Sequence, residues 1–153
     1  MLLQRRSVRG TLSEHQRVLV EIGACVGSGC FSCLDYHVAE AHTVGLDDAA
    51  IFQAIEDAEC VKRSAYDEGA AHAREVLGLA AQPPPDCCSD SSLEREFVWL
   101  GSAVAASATL QTRKHLDAAR VQGITDEQIA SVIALARQAQ TCARRSLRRK
   151  LRS

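Results

Sequence analysis

Two thiols and an imidazole stand one helical turn apart in the segment Gly29-Cys30-Phe31-Ser32-Cys33-Leu34-Asp35-Tyr36-His37. On an α-helix, steps of three and four residues fall on one face, so Cys30, Cys33 and His37 can converge on a single small site. A cysteine attacks as its thiolate, and either a helix start or a basic neighbour lowers the thiol pKa to allow this. Gly27-Ser28-Gly29 interrupts the preceding helical pattern and makes Cys30 a first-turn residue, where free N–H groups and the helix dipole favour negative charge. His37 can take the Cys33 proton directly or through a water. Once one thiol is oxidised to a sulfenic acid the other captures it as a disulfide, and the cycle then needs an external reductant.

The same residues admit two other readings. Free cysteines are commonly small buried hydrophobes, and Cys25, Cys30, Cys33 and His37 have the ligand types of a tetrahedral zinc site. The glycine break separates Cys25 from the other three, so the redox reading is preferred and neither metal nor cofactor is expected.

These groups must be positioned by helices. The chain has 153 residues, 46% hydrophobic and 24% charged, which suits one compact domain. A formal net charge of −1 makes no general case for nucleic acid or membrane. Arg144, Arg145, Arg148, Arg149, Lys150 and Arg152 crowd one end; with Leu147 and Leu151 at i and i+4 they read as the solvated face of a last helix, and no nucleic-acid partner is expected. No window is apolar enough for a signal sequence or a membrane span, and seven cysteines lying partly within apolar helical runs suit a reducing compartment, so a cytoplasmic location is expected.

Shifting the chain along itself by 78 positions pairs Val20 with Val98, Gly23 with Gly101, His37 with His115, Gly45 with Gly123 and Ile51 with Ile129. This internal repeat predicts two copies, about 13–78 and 91–151, within one domain over 1–153, joined by a proline-broken connector at 79–90. Ser13 with Gln16, Thr125 with Gln128 and Ser91 with Glu94 read as capping boxes, and Asp47 as a further cap. Helices are expected near 13–27, 30–44, 47–59, 61–78, 92–107, 109–122 and 125–146. No segment alternates with period two, so the class is all-α, a duplicated three-to-four-helix unit. The small residues from Gly101 to Ala108 predict a close helix–helix approach.

Gly-Cys-x-x-Cys-x-x-x-His in a duplicated, Ala-rich helical unit, followed by Ala41 to Gly45 and a capped helix, resembles the alkylhydroperoxidase D and carboxymuconolactone decarboxylase-like superfamily over most of residues 13–143. The paired cysteines resemble the alkylhydroperoxidase D branch. That resemblance implies Cys33 as attacking thiol, Cys30 as its disulfide partner and His37 as the proton acceptor. It also implies a peroxidase or disulfide reductase, recharged by a dithiol or thioredoxin-like donor, on a helical fold that assembles as a trimer or hexamer. The family glutamate twelve positions before the first cysteine is replaced here by Val18, and Glu21, one turn later on the same face, is the candidate substitute.

The second copy shows the opposite loss. Glu96 and His115 match the family's acid–base residues, while Ala108 and Gln111 stand where the cysteines would be. Glu96 and His115 read either as scaffold or as a separate acid–base pair, of the kind the decarboxylase branch would use on a small lactone. They could also complete the Cys30–Cys33 site across a two-fold or subunit boundary. A metal-binding or scaffold protein is the non-enzymatic alternative. Cys87 and Cys88 read as exposed, Cys60 and Cys142 as packing residues, and His15, His42 and His72 as lacking partners.

Overall fold

The computed structural model describes residues 12–80 and 92–152. Six helices make up the described chain: α1 (Glu14–Ser28), α2 (Phe31–Thr43), α3 (Asp48–Val76), α4 (Leu93–Ala105), α5 (Thr109–Val121) and α6 (Asp126–Lys150). No strand occurs among the described residues.

The helix starts follow the local chemistry. Ser13 and Gln16 form a reciprocal capping box on α1, as do Thr125 and Gln128 on α6, and the Asp47 side chain accepts the Ala50 N–H on α3. For α4 the cap is Ser92, which accepts the Arg95 N–H; Ser91 lies outside the described residues. The two helices expected at 47–59 and 61–78 are one unbroken helix. Nothing from Glu59 to Arg63 breaks the hydrogen-bond ladder, because the stretch contains neither glycine nor proline. The last helix likewise runs on to Lys150, where its basic final turn complements the negative end of the helix dipole.

α1 and α4 form the most extensively packed pair, α3 and α6 each pack against both, α2 lies on α1, and α5 lies on α4. α1 buries Val18, Val20, Ile22, Ala24 and Cys25, and α4 buries Phe97, Val98, Trp99, Leu100 and Ala103. Such burial on every side marks a core helix rather than an amphipathic surface one. The close approach expected at Gly101 lies between these two helices. A methyl group on Gly23 would lie 2.7 Å from both Ser102 Oγ and Val98 Cγ1, and one on Gly27 would lie 2.6 Å from the Ser102 carbonyl oxygen. The glycines thus bring α1 within backbone reach of α4.

The two halves are alike in detail. Lys62 donates from α3 to the Val26 carbonyl at the end of α1, and Gln140 donates from α6 to the Val104 carbonyl at the end of α4. Gly29 and Ser107 follow those helix ends, both with positive φ, 73° and 56°.

Candidate active site

Gly29 closes α1 in the left-handed conformation and turns the chain sharply, so that the Cys30 N–H bonds the Cys25 carbonyl at 2.9 Å. Cys30 becomes the N-cap of α2 rather than its first-turn residue, and its carbonyl accepts the Cys33 and Leu34 N–H groups. No side chain caps this helix start, which leaves the positive end of α2 beside the sulfur pair. Cys30 and Cys33 are disulfide-bonded, with Cα atoms 5.4 Å apart. Cys30 is buried and Cys33 half-buried, so Cys33 presents the more accessible sulfur.

One turn on, His37 Nδ1 lies 3.0 Å from Glu40 Oε2 and 3.3 Å from Glu21 Oε2. Arg17 donates to both carboxylates, at 2.9 Å to Glu40 and 2.5 Å to Glu21. With Nδ1–H facing the carboxylates, Nε2 is the atom left to accept a proton. Burial alone pulls the His37 pKa down, but the hydrogen bond and charge of Glu21, followed by those of Glu40, outweigh it and leave the value raised. Burial acts the opposite way on Glu40, and hydrogen bonds from Arg17 and His37 overcome it and hold the carboxyl below its usual range. Glu21, His37 and Glu40 offer three ligand atoms within 4.8 Å of one another, yet both carboxylates are already engaged by Arg17, which suits a charge-balanced network better than a metal cage.

Cys33, His37 and Glu21 line a small cleft together with Cys25, Leu135, Gln138, Ala139 and Cys142. The structure therefore brings together Glu21, Cys30, Cys33 and His37 from α1, α2 and the turn between them, and closes the cleft with α6. Arg17, Glu40 and Cys142 were not anticipated. Arg17 and Glu40 carried a faint signal, standing four residues from Glu21 and three from His37. Cys142 carried none, since it comes from the far end of the chain; it is a half-buried wall of the cleft rather than a packing residue of the core. Burial pushes the Cys25 thiol up to about 12, with smaller contributions from Glu21 and Cys142.

The second copy has a different interior. His115 Nδ1 and Glu96 Oε1 are 2.7 Å apart, and each side chain is only 1% exposed. The Trp99 ring lies 5.4 Å from that of His115, and Arg95 stacks over Trp99 at 4.7 Å while pairing with Asp57 at 2.8 Å. Gln111 donates to Glu68 Oε1 at 2.6 Å. Neither Glu96 nor His115 lines the Cys33 cleft. The remaining histidines, expected to lack partners, all have one: His15 contacts the Val44 carbonyl at 2.7 Å, His42 lies 3.5 Å from Asp48 Oδ1, and His72 lies 3.9 Å from Glu75 Oε2. Cys60 packs against the Val61, Trp99 and Ala103 cluster but is disulfide-bonded rather than the plain packing thiol expected, and Cys87 and Cys88 lie outside the described residues. No described helix is long and apolar enough to cross a membrane.

In comparison with known proteins, the model of the carboxymuconolactone decarboxylase family matches residues 2–81, a little over half of the chain and all of the first copy's helices. Neither the curated proteins nor the solved structures gave a match.

Proposed function

The chain belongs to the carboxymuconolactone decarboxylase family, and from that premise we propose that it is a thiol oxidoreductase that reduces a hydroperoxide or a disulfide through Cys33. The observation that carries this reading is the shared cleft: Cys33 lines it beside His37 and Glu21, with Cys30 already bonded to Cys33 behind it.

In the reduced protein His37 Nε2 takes the Cys33 proton, and the resulting imidazolium is held by Glu21 and Glu40. The Cys33 thiolate attacks the outer oxygen of a hydroperoxide; the O–O bond breaks, the sulfur becomes a sulfenic acid, and the departing alkoxide takes the proton back from His37. The Cys30 thiol then displaces hydroxide from Cys33, forming the disulfide and releasing water. A dithiol donor attacks the accessible Cys33 sulfur and expels Cys30 as a thiolate at the positive end of α2, where a leaving thiolate is best stabilised. The donor's second thiol then displaces Cys33 from the mixed disulfide, and the donor departs oxidised to its own disulfide. Arg17 and Glu40 act through His37 as positioning residues. Assembly with further copies of the chain belongs to the same proposal and is supported by the exposed apolar side chains of Phe31 and Tyr36 beside the site.

The test adds one equivalent of an organic hydroperoxide to fully reduced protein and maps linkages by peptide mass spectrometry. Rapid formation of the Cys30–Cys33 disulfide, reversed by a dithiol, is the expected result; free thiols after complete mixing would overturn the reading.

A further inference from the structure

The cleft holds more sulfur than one redox pair requires. Cys25 from α1 and Cys142 from α6 both line it with Cys33, and both are free thiols. Cys25 is also tied to the active pair through the backbone, its carbonyl accepting the Cys30 N–H at 2.9 Å. The repeat-related positions in the second copy and the first are Ala103 and Ser64, so neither sulfur is demanded by the packing frame that the two halves share. From this convergence we infer that Cys25 and Cys142 form a second dithiol, which exchanges with the Cys30–Cys33 disulfide and lets one chain store two oxidising equivalents. The inference rests on the thiol-redox reading above.

The exchange needs no outside reagent. The Cys142 thiolate attacks Cys33 Sγ; the Cys30–Cys33 bond breaks and the Cys33–Cys142 bond forms, and Cys30 leaves as a thiolate that takes up the proton Cys142 gave. Cys25 then attacks Cys142 Sγ, forming the Cys25–Cys142 bond and releasing Cys33 as a thiolate, to which the Cys25 proton passes. Two electrons move from the Cys25/Cys142 dithiol to the Cys30/Cys33 pair, and two thiols are oxidised as two are restored. Cys142, half-buried at the cleft wall, is the attacking sulfur. Cys25 is buried and held protonated, which makes the second exchange the slower one and shields that thiol from direct oxidation by peroxide.

The experiment titrates the reduced full-length protein with cumene hydroperoxide and, in a parallel arm, with diamide added up to two equivalents, which makes disulfides without peroxide chemistry. Linkages are mapped after acid quench for the wild type, Cys142→Ser and Cys25→Ser. The wild type is expected to form Cys30–Cys33 and Cys25–Cys142 with two equivalents of hydroperoxide and Cys142→Ser only Cys30–Cys33, with a Cys33–Cys142 linkage accumulating in Cys25→Ser. If Cys30–Cys33 forms only with diamide, the peroxidase reading fails while the exchange is still read in that arm. If Cys25 and Cys142 remain fully alkylatable in both arms once Cys30–Cys33 has formed, the inference is overturned.

Discussion

The α1–α2 site and its counterpart between α4 and α5 start from one frame and end as opposites. Both have an arginine just ahead of the central position, Arg17 or Arg95, and a histidine on the second helix, His37 or His115. In the first, the carboxylate at Glu21 sits toward the cleft, and Val18 fills the core position completely. In the second, the carboxylate is at that core position as Glu96, and Trp99 occupies the place of Glu21 and fills the space. One register shift of a glutamate by a helical turn thus separates an open acid–base network from a sealed one. The lesson is that a histidine–carboxylate pair is chemistry only where the neighbouring side chain leaves room for a reactant; with tryptophan there, the same pair becomes a buried polar strut.

The comparison breaks most visibly at the sulfur position. Cys33→Ser is expected to lower hydroperoxide turnover on the order of 10⁴-fold or more, whereas Gln111→Ala, at the matching position, should leave turnover per folded molecule unchanged. Steady-state assays with a dithiol donor check both, and a comparable loss in Gln111→Ala would give the second site a catalytic role.

Glu96→Ala tests the sealed site from the stability side. It strands His115, whose Nε2 already has no partner among the described residues, so unfolding should become easier by about 3 kcal/mol. Denaturant titration reads that loss, and turnover of the remaining folded protein should hold. Slowed turnover with stability intact would mean that the acid–base reading belongs to Glu96 and His115 after all.

How far this contrast was legible in the sequence depends on range. The all-α class, the caps at Ser13, Asp47 and Thr125, and the close approach at Gly101 are written in local chemistry and in a repeat long enough to see. The break expected near Cys60 was not real, because apolar spacing alone does not stop a helix that lacks a glycine or proline. Glu21 and His37 were readable as neighbours of the motif, but that Glu40 and Arg17 complete the network depends on how α2 lies across α1. The burial of Glu96 depends on Trp99, and the cleft wall at Cys142 on the packing of α6; no spacing along the chain encodes either.

A smaller effect sharpens the electrostatic half of the comparison. The raised pKa of His37 means that its pairing stabilises the fold fully below the ordinary imidazole value and is lost as pH rises through the folded-state value. The lowered pKa of Glu40 means that its contribution is present above the ordinary carboxyl value and is lost as pH falls through the folded-state value. Glu40→Gln should therefore destabilise between those limits by less than about 1 kcal/mol, since the groups are partly solvated. Thermal melts across pH should show the two proteins converging at the acid end. A constant offset at all pH would assign Glu40 to packing rather than to charge.

The smallest effect concerns the turn that sets each site. Gly29 adopts φ 73°, and a methyl group added there would have nothing within 4 Å of it, so a larger residue meets only backbone strain. Ser107 holds the equivalent turn at φ 56° and carries that strain, worth about 1 kcal/mol, offset in part by Gln140 donating to its Oγ at 3.0 Å. Gln140 also donates to the Val104 carbonyl at 2.8 Å, so deleting the hydroxyl does not strand it. Ser107→Gly should stabilise the protein by about 0.5 kcal/mol once the added freedom of glycine in the unfolded chain is counted. Gly29→Ser should cost about 0.5 kcal/mol by the same balance and, by shifting Cys30 on the start of α2, slow disulfide formation as well. If chemical denaturation finds Ser107→Gly less stable, the Gln140 contact outweighs the strain, and the second copy has fixed its turn by a side chain where the first relies on glycine.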